Sequence, residues 1–240
     1  MSTDQNKEYR LILEPDNHTG NPRQDCDWLG TMACWNGRYT LGDEQPGGNP
    51  TDWRRELACQ FDDDLLDRAD RHFNRLERAR PRSSFEELAG ENDSYLRDQV
   101  DALLDKHYIM LPLFLYDHSG ITMSTGAFSC PWDSGQVGWI YVSKDKLKSE
   151  FGWKRMSPQR EDFAKQILKT EVDVYDQYLR GDVWGFIVES RPEGSEDDGD
   201  WEEEDSCWGF YGDDPKTNGI AGYLSDEQQH LLDTFERRYP

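Results

Sequence analysis

Apolar and polar positions alternate or recur along this chain in ways that mark its elements. The run Tyr9 to Leu13 (YRLIL) predicts a first strand, stopped by Pro15. Residues 15–53 are rich in Gly, Pro, Asn and Asp, and they read as an irregular region with short strands at TMACW and RYTL, packed on the core through Trp28 and Trp35. From Arg54 to Arg80 the period becomes helical, with Leu57, Phe61, Leu65, Ala69, His72, Phe73 and Leu76 on one side and Pro81 closing the element. A second helix is predicted from Asn92 to His107. Strands follow at Tyr108 to Tyr116, Ile121 to Ser124 and Val137 to Val142, the first two joined by the turn-forming DHSG. Lys144 to Phe151 reads as a short helix, and a longer one starts at Ser157 with Pro158 at its first position and ends at Gly181. Then come a strand at Val183 to Glu189, an acidic tract, a strand at Cys207 to Tyr211 and a final helix from Ser225 to Arg238. Strands and helices come in runs without βαβ alternation, which predicts an α+β fold: a mostly antiparallel central sheet packed by several helices in a single compact domain. Its expected parts are an N-terminal strand and irregular Trp/Cys-containing region (1–53) and an α+β core (54–240) with an acidic loop at 193–205.

Composition sharpens this picture. Hydrophobic content is low at 35 %, yet nine Trp, eleven Tyr and ten Phe are far more aromatic mass than a disordered chain carries. No run approaches the ~18 apolar residues of a membrane span, and MSTDQNKEYR lacks the order of a signal peptide, so the expected location is the cytoplasm of the host cell. Five cysteines without CxxC spacing read as reduced thiols rather than a disulfide framework or zinc ribbon. The net charge of −22 excludes nonspecific nucleic-acid binding through a broad basic face. Mimicry of DNA would need nearly all of it on one face, because duplex DNA carries about 27 charges over the ~46 Å diameter of such a globule. Acids are instead scattered along the chain and Arg outnumbers Lys, a pattern that fits a halophilic, solubility-driven surface better than a decoy. The densest tract, EGSEDDGDWEEED (193–205), reads as an exposed loop between strands; Asp197, Asp198, Glu202, Glu203 and Glu204 form its acidic surface, without the ligand order of a calcium loop.

Candidate chemistry concentrates in Leu111 to Val142, where DHSG and SCPWDSGQVG sit between apolar strands. Cys130 and His118 could act as thiolate and general base with Asp133 or Asp117 orienting the imidazole; buried thiols as plain small hydrophobes are the commoner case. A zinc site from His118, Cys130 and Cys207, with a carboxylate as fourth ligand, lacks the ligand spacing of a zinc motif, so no metal or cofactor is expected. Glu171 shares a helix face with Ala164, Ile167, Leu168, Val174, Tyr175 and Tyr178 and is expected to be at least partly buried, either as a general acid or base or as an acceptor pinning the CPWDSG loop. Trp132, Ser134, Gln136 and Tyr175 are the candidate binding residues beside these.

The segments DWLGTMACWNGRYTLGD (27–43), YDHSGITMST (116–125), FSCPWDSGQVGWIYVS (128–143), EVDVYDQYLRGDVWGFIVE (171–189) and DSCWGFYGDD (205–214) resemble a family of uncharacterised proteins encoded by phages, plasmids and other mobile elements. That family has no established activity, so the resemblance implies a genomic setting. The expectation is an acidic accessory protein of a virus or mobile element that binds a host protein, such as a defence-system component. A small hydrolase or transferase using His118, Cys130, Asp133 and Glu171, or a virion structural component, are the alternatives.

Overall fold

The computed structural model describes residues 6–239; residues 1–5, which enter the reading for a leader, and residue 240 lie outside it. The chain runs β1 (Lys7–Pro15), α1 (Pro22–Asp25), β2 (Thr31–Cys34), α2 (Pro50–Cys59), α3 (Leu65–Ala79), α4 (Phe85–His107), β3 (Tyr108–Asp117), β4 (Ile121–Ser124), β5 (Ser134–Ser143), α5 (Lys144–Glu150), α6 (Pro158–Leu179), β6 (Val183–Pro192), β7 (Glu202–Tyr211) and β8 (Glu236–Arg237). The fold is α+β. Its strands form two four-stranded sheets, β7-β6-β1-β8 and β2-β5-β3-β4, where the sequence suggested one central sheet. The described residues fall into two compact units, one made of 6–27, 116–123 and 172–239 and the other of 28–115 and 124–171.

The first unit is built on the β1–β6 ladder, antiparallel from Lys7↔Pro192 to Pro15↔Trp184. Alternation puts Leu11, Leu13, Phe186 and Val188 into one core with Phe210, Ile220, Leu224, Leu231 and Leu232. The helix expected from Ser225 to Arg238 does not form. A short 3-10 turn at Gln229–Asp233 buries the adjacent leucines 231 and 232, and the chain then extends so that Ile12 and Leu13 pair in parallel with Glu236 and Arg237. The backbone of Arg238 donates to the Leu13 carbonyl at 2.9 Å, so ladder bonds replace helical ones.

The acidic tract is likewise more ordered than an open loop. Glu202–Asp205 are already strand, with Ser190↔Glu202 and Val188↔Asp205 paired across to β6. Two guanidinium groups lie over the Trp201 ring, Arg10 at 4.3 Å and Arg191 at 4.6 Å from its centre. Those arginines are themselves held by Glu189 and Glu8. Ser190 donates to Glu204, which also pairs with Lys7.

In the second unit the long helix expected from Arg54 to Arg80 is two helices. Asp62 accepts from the Asp64 amide and from Arg68, a local bond that competes with helix continuation and turns the chain at 60–64. The break frees Phe61 to stack on His107, with ring centres 3.9 Å apart. Asn49 caps α2 and Ser84 caps α4, which therefore begins at Phe85 rather than Asn92. Leu57, Ala58, Leu65, Val100, Leu104 and Tyr108 form the core beneath them. The strand expected at RYTL is replaced by a turn in which Asn36 accepts from the amides of Arg38 and Tyr39. β2 pairs with β5 from Thr31↔Tyr141 to Cys34↔Gly138; Gly138 is required there, since a Cβ would stand 2.1 Å from the Ala33 carbonyl oxygen.

Candidate functional site

The segment 125–133 leads into β5, and short bonds hold its end in shape. The Ser134 hydroxyl donates to the Cys130 carbonyl at 2.5 Å, and the Cys130 thiol donates to Asp133 Oδ2 at 3.6 Å. Pro131 removes a further backbone freedom between them. At the tip of this constrained turn the Trp132 side chain stands in solvent, 92 % exposed. Gln136 turns back on its own strand and donates to the Gly138 carbonyl at 3.2 Å. Cys130, Asp133 and Ser134 are thus brought together, while Trp132 is presented outward.

His118, Glu171 and Tyr175 are carried by other elements. His118 is in the β3–β4 turn of the first unit, where its amide donates to Gly120, Ser119 takes a φ of 54° and its ring is 6.1 Å from that of Tyr116. Glu171 is buried as its helix face implies, 5 % exposed, but its partners differ from those the sequence suggested. It accepts from the backbone amides of Leu29 (2.9 Å) and Gly30 (3.1 Å), so it pins the turn before β2 rather than the CPWDSG loop. Gly30 makes that approach feasible: a Cβ there would be 2.4 Å from Leu168 and 2.8 Å from Ile140. Tyr175 is buried and stacks on Tyr178 along α6. Of the acidic surface, Asp197 caps a short turn by accepting from Gly199, Glu203 accepts from Ser206, and Glu204 is engaged as described above; Asp198 and Glu202 are exposed.

Sequence reasoning missed three arrangements. Asp176, one turn beyond Glu171's face, accepts from the Thr122 hydroxyl (2.5 Å), the Met123 amide (2.7 Å) and Arg180 (3.0 Å), and so fixes β4. Trp35, Trp53, Trp139 and Tyr141 form one aromatic nest, with ring centres 5.2–6.0 Å apart. The period of two in Trp139 and Tyr141 was the available signal for it. Burial pushes the Tyr141 phenol well above the ordinary tyrosine range, and the neighbouring Glu44 carboxylate that it bonds adds to the shift. In the first unit a cavity of about 590 Å³ is lined by Pro15, Asn17, His18, Trp208, Arg238 and Tyr239. Trp208 lies flat on Gly185, where any Cβ would be 2.1 Å from the indole; no local pattern links positions 185 and 208.

Among the described residues no group of three His, Cys, Asp or Glu side chains is placed to hold a metal ion, and no helix is long and apolar enough to cross a membrane. The architecture defines an α+β protein with an ordered, tryptophan-tipped turn. No family model, curated protein or solved structure matches the chain.

Proposed function

We propose that this is a protein-binding accessory factor of a virus or mobile element, which engages a basic face of a host protein and inserts Trp132 as its anchor. The observation that carries the reading is the 92 % exposure of Trp132 on a turn whose neighbours are hydrogen-bonded. An aromatic side chain of this kind buries 150–250 Å² on contact. At ~25 cal/mol per Å² that is about 4–6 kcal/mol of unrealised transfer free energy, part of which is spent on immobilising the partners. Tryptophan is also enriched among residues that dominate interface energetics, and a pre-shaped turn lowers the ordering cost. The net charge of −22 supports a basic partner by steering it in at low salt.

Affinity capture from host lysate with wild type and Trp132→Ala side by side tests this. The wild type is expected to retain a basic partner that added salt releases, and the variant, whose core is untouched, to lose it by at least tenfold. A partner held equally by both forms refutes the anchor.

A further inference from the structure

The geometry points to a binding site for a small phosphate monoester in the cleft between α2 and α4. Helical spacing builds it from both sides: Thr51, Arg54 and Arg55 share one face of α2, while Asp93, Leu96, Arg97, Val100 and Asp101 follow each other at intervals of three, one, three and one along one stripe of α4. These eight residues line a cavity of about 270 Å³. Three arginines and two aspartates are among them, in a chain that is otherwise strongly acidic.

The three arginines are not equivalent. Arg54 is fixed: its Nη2 bonds Asp101 at 2.9 Å, its guanidinium lies 5.4 Å from the centre of the Trp139 ring, and its Nε is buried without a hydrogen-bond partner. Arg55 is held by Asp52 at 2.5 Å. Arg97 makes no ion pair among the described residues, although Asp93 and Asp101 lie four residues to either side, the spacing at which helical pairs form. A cation that forgoes both neighbours beside two tethered cations is available to an incoming anion, and its planar fork suits two phosphate oxygens at once.

The same lining limits the ligand. Leu96 and Val100 give the cleft an apolar floor, Thr51 brings a hydroxyl from the first turn of α2, and that helix terminus favours negative charge. Asp93 is an acceptor for hydroxyl groups on the ligand's body, which sets a hydroxylated ester above a bare anion. A polyanion is disfavoured, because the chain's net charge of −22 repels any length that extends beyond the cleft.

Equilibrium dialysis of the full chain against labelled inorganic phosphate and glycerol phosphate, at fixed ionic strength set by chloride, tests the assignment. A single saturable site is expected, tighter for glycerol phosphate, weakened at least tenfold by Arg97→Ala and partly restored by Arg97→Lys. Arg97 is exposed on a helix and alanine favours helix, so circular dichroism is expected to show that variant folded. No saturable uptake, or uptake unchanged in Arg97→Ala, overturns the site; weaker binding of glycerol phosphate than of phosphate overturns the ester.

Discussion

Glu171 receives two consecutive amides from a segment more than a hundred residues earlier in the chain, and that determines how its loss is felt. Glutamine keeps one acceptor oxygen but sets an NH2 group against the Gly30 amide in place of Oε2, so that buried N–H loses its 3.1 Å bond and keeps only the longer 3.3 Å contact with the remaining oxygen. Glu171→Gln is therefore expected to cost about 1–3 kcal/mol, read as a lower urea midpoint at unchanged slope; an unaltered midpoint contradicts the pinning role. The burial of this carboxylate was legible because the helix face carrying it is otherwise apolar. Its partners were not, since the 28–30 turn meets α6 only in the folded chain and no spacing encodes that meeting. Cys130, Asp133 and Ser134 were legible as a cluster because their bonds span at most four residues. The outward turn of Trp132 was not, because an indole next to a proline is as readily buried as exposed.

At the scale of elements, long periodic segments declared themselves: α6, β3 and β6 lie where their apolar patterns put them, and α4 covers its expected span but starts seven residues earlier, at Phe85. The failures have local causes. Three consecutive aspartates favour side-chain-to-backbone bonds over helix at 62–64, and the final segment gives up helix for a place beside β1. The acidic connection between β6 and β7 is the sharpest case, because composition alone suggests a solvated loop. Cation–π contacts from Arg10 and Arg191 hold Trp201 to the sheet. Trp201→Ala is accordingly expected to abolish hydrogen-exchange protection at the Ser195 and Asp200 amides while leaving Leu11 to Leu13 and Phe186 to Val188 protected. Retained protection at Ser195 and Asp200 would show that the hairpin bonds suffice without the ring.

For the whole molecule, charge was fully legible, and its ionisation sets a stability window. Ion pairs with Arg68, Lys148, Lys7 and Lys216 hold Asp62, Asp145, Glu204 and Asp233 below the usual carboxylate range. A lowered folded-state value means stability that is present above the unfolded value and lost as pH falls through the folded one, so these groups weaken the fold in acid. Tyr108 and Tyr141 are raised, chiefly by burial. Their contribution is whole below pH ~10 and is lost as pH climbs through the raised folded-state values, because the unfolded chain ionises first. Thermal melting is expected to show a plateau across neutral pH with a fall on both flanks, and Tyr141→Phe is expected to soften the alkaline one; an alkaline limb unchanged by that substitution contradicts the assignment. The same acidic field is expected to draw in a basic partner, with Trp132 supplying the contact that outlasts encounter. The most direct test is paired capture from host lysate by wild type and Trp132→Ala at matched ionic strength. A stoichiometric, salt-released partner that the variant loses by at least tenfold is the predicted result, and no partner, or one indifferent to residue 132, contradicts it.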